Sequence, residues 1–126
     1  MIGYVMLGTN NLRNAVNFFD KVLEPLGLYR SELDNNYAGY AKKKAGSDIE
    51  FYVTKPFNGK KATAGNGSMV SFLVTDKSQV DHFHDIALKN GASNEGNPGP
   101  RPSDGIIYYG YIRDLDGNKI CAYAKL

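Results

Sequence analysis

YYGYIR, Tyr108 to Arg113, repeats YAGYAK, Tyr37 to Lys42, at an offset of 71, and the same register brings Ile49, Glu50 and Tyr52 onto Ile120, Cys121 and Tyr123. A second match lies upstream. Residues 4 to 23 overlie 69 to 88 at an offset of 65, with Val5 on Val70, Phe18 on Phe83, Asp20 on Asp85 and Leu23 on Leu88. A chain that overlays on itself in two stretches is a duplication, in which each copy buries its apolar face against the other. The offsets differ by six residues, which the second copy carries in ASNEGNPGPRPSDG, Ala92 to Gly105. This Gly/Pro-rich run is expected to be a loop insertion.

Hydrophobic periodicity gives both copies the same order of elements. Residues 2 to 8 and 69 to 75 alternate as strands, with Val5 and Leu7 on one face of the first and Val70, Phe72 and Val74 on one face of the second. Thr9-Asn10-Asn11 supplies helix-capping residues, and Leu12, Ala15, Val16, Phe19, Val22, Leu23 and Leu26 follow at helical spacing up to Gly27, a common helix stop. In the second copy Asp76 or Ser78 caps a helix running to about Asn90-Gly91, with Val80, Phe83, Ala87 and Ile86 inward. Three short strands are expected behind each helix: 28–34, 36–43 and 47–54, then 91–95, 106–113 and 118–125. Asp114-Leu115-Asp116-Gly117 is the turn between the last two. The expected fold is α+β: one domain over 1–126, made of two tandem strand-helix-three-strand modules, 1–54 and 68–126. The polar linker KPFNGKKATAGNG, 55–67, joins them, and their curved mixed sheet surrounds a cavity.

Strand alternation decides which side chains line that cavity. With Val5, Ile49, Phe51, Val70 and Ile120 turned to the helices, Tyr4, Glu50, Tyr52, Met69, Cys121 and Tyr123 face the hollow. Counting back through the last turn sets Gly110 opposite Cys121, which adds Tyr108 to the lining, and the repeat sets Gly39 opposite Glu50. Glu50 is a carboxylate among aromatic residues, so it must be solvated, paired or protonated. It is the candidate general base, or else the acceptor of a hydrogen bond from Tyr4 or Tyr52.

Composition excludes several classes of function. The 126 residues are 42% hydrophobic and 22% charged, as in ordinary globular domains, and at this length a core forms without metal or disulfide staples. Cys121 is the single cysteine, so no intramolecular disulfide is possible and a reducing compartment, the cytoplasm, is expected. The opening MIGYVMLG has no basic start, long apolar stretch or cleavage site, so secretion and membrane association are not expected. A net charge of +2, with one short basic run at Lys42-Lys43-Lys44 before the turn residues Ala45-Gly46, gives no nucleic-acid-binding face.

Beyond the duplication, three segments resemble the vicinal oxygen chelate superfamily of glyoxalase I, bleomycin-resistance proteins and extradiol dioxygenases. They are GYVMLGTNNLRNAVNFFDKVLEPLG, Gly3 to Gly27; GNGSMVSFLV, Gly65 to Val74; and YIRDLDGNKICAYAKL, Tyr111 to Leu126. The resemblance covers essentially the whole chain and is strongest to small bacterial glyoxalase-like members. It implies that a divalent metal, where one is used, is held by the first and last strands of each half, here at Tyr4, Glu50, Met69 and Cys121. Only Glu50 keeps the ligand type: Tyr4 and Met69 stand at histidine positions and Cys121 replaces a glutamate. A hard divalent ion prefers carboxylate and imidazole, so no metal site and no cofactor are expected. The leading expectation is a protein that binds a small organic molecule in its cavity. A divalent-metal lyase or dioxygenase is the alternative, and a dimeric drug-sequestering protein the second. A homodimer is implied by the resemblance.

The remaining motifs read more plainly. Cys121 has no evident basic neighbour in sequence and reads as a small buried hydrophobe. His82 and His84, two apart on a helix, point in different directions and are expected at the solvent or the helix edge. Asp114 and Asp116 are accounted for by turn formation. The run Gly65-Asn66-Gly67 lacks the spacing of a phosphate loop. Arg101, in the expected loop insertion, is within reach of the mouth of the hollow, where it would hold an anionic end of a ligand.

Overall fold

The alternation and helical spacing of the first copy become β1 (Val5–Gly8), α1 (Leu12–Val22), β2 (Tyr29–Leu33), β3 (Tyr37–Ala41) and β4 (Ile49–Thr54). The second copy repeats the order as β5 (Val70–Val74), α2 (Lys77–Lys89), β6 (Ser93–Pro100), β7 (Ile107–Arg113) and β8 (Lys119–Lys125). The computed structural model describes residues 1–126. Each module is a four-stranded mixed sheet, ordered β1-β4-β3-β2 and β5-β8-β7-β6. The first strand of each runs parallel to the last, and all other pairs are antiparallel. The architecture is therefore the α+β duplication expected from the repeat. No helix is long and apolar enough to cross a membrane.

Side-chain chemistry sets the helix ends. Asn11 caps α1 by accepting the Asn14 N–H at 3.0 Å, and Asp76 with Gln79 closes a capping box on α2. α1 stops at Val22, short of Gly27. Pro25 lacks a backbone N–H and enters a 3-10 turn over Glu24–Leu26, which Gly27 ends in the left-handed region at φ 84°.

The apolar faces of α1 and α2 pack on the sheets and on each other, forming one core of 19 buried residues. Phe51 ties the modules together. Its ring centroid lies 5.0 Å from that of Phe19 in α1 and 5.7 Å from that of Phe72 in β5.

Several expectations are corrected. The run from Ala92 to Gly105 is not simply a loop insertion, because β6 takes its first half and is the longest strand. Bulges around Gly96 let so glycine-rich a segment follow β7. His84 is not at the surface: it is 5% exposed, and its Nε2 lies 3.0 Å from Oδ1 of Asn94 in β6. His82 remains exposed.

The turn after β7 does more than reverse the chain. The buried Asp114 carboxylate accepts from the Asp116 N–H, the Asn118 N–H and the Asn118 side-chain amide at 2.8–2.9 Å. Burial pushes the Asp114 carboxyl above its usual range, against the pull of these hydrogen bonds. Asn118 Nδ2 also donates to the Gly8 carbonyl at 3.0 Å, and Asp116 accepts the Asn10 N–H at 2.8 Å. The turn is a clip between the modules.

Because Asn118 belongs to that turn, Arg113 pairs with Lys119 and the register moves by one residue. Tyr111 stands opposite Cys121, while Gly110 stands opposite Ala122 and faces α2. A Cβ at Gly110 would sit 3.1 Å from Val80 Cγ1, so this glycine lets α2 approach the sheet and leaves no room in the hollow. In the first module a bulge between Tyr40 and Ala41 takes up Glu50, which sets Gly39 opposite Tyr52. Ile49 is thereby turned onto the face of Tyr52. A Cβ on Gly39 would meet both of these side chains at 3.0 Å.

Candidate functional site

In each module one sheet face belongs to the helices and the other is open. On the first sheet the open face carries an edge-to-face aromatic cluster: Tyr52 lies 5.0 Å from Tyr4 and 5.5 Å from Tyr37 between ring centroids. The Tyr52 hydroxyl donates to Glu32 at 3.4 Å, not to Glu50. Burial first, and then the Glu32 charge, push the Tyr52 phenol above its usual range. Glu50 is exposed and has no hydrogen-bond or ion-pair partner among the protein groups. With Tyr4, Met69 and Ser71 it lines a crevice of about 330 Å³ between the ends of β1 and β5. A second crevice of about 450 Å³ continues along the same seam past Met6, Gly8, Ser68 and Lys119. β1 and β5 are edge strands that share no ladder.

The open face of the second sheet is built differently. Tyr109 and Tyr123 are a direct cross-strand pair, and Tyr109 stacks on both Tyr123 and Tyr111, with centroids 5.7 and 5.8 Å away. The Arg101 guanidinium lies 5.1 Å from the Tyr111 centroid and the Lys119 ammonium 5.4 Å from it. Cys121, wholly buried, sits beside Ser71 and opposite Tyr111. Burial pushes its thiol up, outweighing the nearby cations, so it is not an activated nucleophile.

Of the expected lining residues, Tyr4, Glu50 and Met69 share one crevice. Tyr52 packs on Tyr4, and Cys121 and Tyr123 lie on the corresponding face of the second sheet. Tyr108 does not belong with them. The one-residue register change turns it toward α2, where it packs on the core and its hydroxyl donates to Asp81. That hydrogen bond, then burial, push the Tyr108 phenol up to about 12. Its neutral form is favoured in the fold, so this contribution to stability is complete below about pH 10, the unfolded value. It is lost as the pH rises through about 12. In a ¹³C-tyrosine NMR titration Tyr108 is expected to ionise after an ordinary tyrosine and to move back in Asp81→Asn; an ordinary midpoint in the unmodified protein would contradict the contact.

Sequence reasoning missed Tyr109, Tyr111 and Lys119, whereas Arg101 lies, as expected, in the loop, immediately after β6. The signal for the two tyrosines is the alternation within YYGYIR, and counting the turn through Asn118 puts Lys119 on the same face. Arg101 is held rigidly, donating to the carbonyls of Gly99, Tyr109 and Asn97 at 2.7–3.1 Å.

As ligands for a divalent metal the residues at the family positions are a poor set. Glu50 is the only hard donor among Tyr4, Glu50, Met69 and Cys121, the thiol is buried and protonated, and nowhere do three His, Cys, Asp or Glu side chains converge. The residues present do not fit such an ion.

A protein of paired strand-helix-three-strand modules, with an open face shared between its sheets, is of the vicinal oxygen chelate type. The model of the Glyoxalase/Bleomycin resistance protein/Dioxygenase superfamily matches residues 1–122, and the chain belongs to that superfamily. It is similar to a glyoxalase/bleomycin resistance protein from Albidiferax ferrireducens T118, at 35% identity and TM-score 0.87, with 100% of this chain and 99% of that chain covered. A glyoxalase/bleomycin resistance protein/dioxygenase family enzyme from Burkholderia phytofirmans PsJN shares the fold at 18% identity and TM-score 0.71, covering 98% of each chain. So does a glyoxalase-related enzyme from Fulvimarina pelagi at 14% identity and TM-score 0.73, with 99% of this chain and 88% of that one covered. Among curated proteins, none matches the chain.

Proposed function

We propose that the protein binds a small organic molecule on the open face shared by its two modules, using side chains alone, with no resident metal or cofactor. The observation that carries this reading is the crevice in which Glu50, without a partner of its own, lies beside Tyr4 and Met69. Aromatic and apolar walls with few polar groups suit a small organic ligand, and a free carboxylate there favours a cationic or hydrogen-bond-donating end. Glu50 is also the base at this crevice should a proton be removed from the occupant. A homodimer in the cytoplasm completes the proposal, the first from family resemblance and the second from the single cysteine.

The test begins with the metal. Elemental analysis of the untagged protein and calorimetric titration with nickel, cobalt, zinc, manganese and iron(II) are expected to give no tight, stoichiometric ion. About one metal per chain, lost in Glu50→Ala, would overturn the proposal in favour of a divalent-metal lyase or dioxygenase. A thermal-shift and ligand-observed NMR screen of metabolites is then expected to yield binders weakened by Glu50→Gln. A screen without a single competitive binder would sink the binding function, and native mass spectrometry reads the dimer directly.

A further inference from the structure

The open faces of the two sheets differ in charge. The first carries Glu32 and Glu50 around Tyr4, Tyr37 and Tyr52. The second carries Arg101 and Lys119, both within 5.4 Å of the Tyr111 centroid, beside the stacked rings of Tyr109 and Tyr123. Three salt bridges are present in the chain, and neither Arg101 nor Lys119 takes part in one. Neither cation has an ion-pair partner of its own at this aromatic surface, because the Glu95 carboxylate of β6 is taken by Arg113 at 3.1 Å. Like charges held together repel, and a bound anion relieves that repulsion.

Arg101 is also fixed in place. Its contacts to three carbonyls use only part of its donor set, because a guanidinium carries five N–H groups. Gly96 makes this position possible: a Cβ there would lie 3.1 Å from the guanidinium and 2.9 Å from the Tyr111 ring. A rigid guanidinium with spare donors recognises a planar carboxylate better than a mobile lysine does.

We infer that the second sheet's open face is a binding platform for an aromatic carboxylate, with its ring packed along Tyr109 and Tyr123 and its acid group held between Arg101 and Lys119. This rests on the small-molecule reading above and specifies which end of the occupant lies on which module. Stacked tyrosines supply apolar area at low entropic cost, and the cations supply preference for the acid over its neutral analogue.

The probe is 2-naphthoate, titrated into protein carrying ¹³C-labelled tyrosine rings, with the isosteric amide 2-naphthamide and the cation 2-naphthylmethylamine alongside. Naphthoate is expected to shift Tyr109, Tyr111 and Tyr123 and to bind about tenfold more tightly than the amide, a preference that shrinks as salt is raised. Lys119→Gln, at a strand position where the side chain is not part of the core, is expected to reduce that preference severalfold. Arg101→Gln in addition is expected to abolish it, and an unchanged NMR spectrum of the remaining core residues verifies the fold. Equal binding of acid and amide, or a preference that survives both substitutions, overturns the platform. If the amine alone binds, shifting Tyr4 and Tyr52, the small-molecule reading stands and the platform falls. If none of the probes binds and the metabolite screen is also empty, both fall together.

Discussion

Phe51→Ala is expected to destabilise the protein by about 3–5 kcal/mol, the usual cost of removing a buried phenylalanine from a close-packed site. Phe51 is completely buried and its ring meets Phe19, Tyr40 and Phe72, so the cavity would open between the modules, where neither sheet can move in without disturbing the other. Against a typical total of about 5–15 kcal/mol this is a large share, and the melting temperature should fall by something on the order of 10–20 °C. Both modules should be lost in one transition. Calorimetry and denaturant titration followed by far-UV and near-UV circular dichroism check this, with the fully exposed Phe57→Ala as the silent control. Two separate transitions, or a loss under about 1 kcal/mol, would contradict a continuous core.

Asn118→Ala is the second large effect. The substitution removes the side-chain amide from the buried Asp114 carboxylate and from the Gly8 carbonyl together. Leaving buried polar groups unsatisfied costs about 1–3 kcal/mol each, more for a charged one, so a loss of about 2–4 kcal/mol is expected. The loss also has a local signature. The Asn10 amide, which donates to Asp116 in the same clip, should exchange with solvent faster than in the parent protein. Unchanged stability and exchange would mean that the turn only reverses the chain.

The fold was legible because duplication doubles every signal: a strand pattern that is ambiguous once is not ambiguous when it recurs at a fixed offset. The candidate site was less legible, because the face of a strand depends on counting across turns. Reading Asp114 to Gly117 as the whole turn left out Asn118, whose side chain is bound into it. That single residue exchanged Tyr108 for Tyr109 and Tyr111. The bulge at Glu50 did the same to Ile49. β6 was expected only over 91–95 for another reason: its extension to Pro100 comes from pairing with β7 in three dimensions, and SNEGNPGP has little intrinsic strand preference. His84 was misplaced because its partner, Asn94, lies in that same segment.

The duplication gave the molecule a near two-fold axis in its backbone, yet the carboxylates of Glu32 and Glu50 stand on one half and the free cations of Arg101 and Lys119 on the other. On the open face the local field therefore points from Arg101 and Lys119 toward Glu32 and Glu50, and it has no counterpart after a half-turn. An occupant with unlike ends meets a directional surface, so one of its two orientations is favoured on arrival. A molecule with identical ends has no such preference to satisfy. Symmetry of the chain trace and polarity of its surface have parted company, and the polarity is what a small molecule feels first.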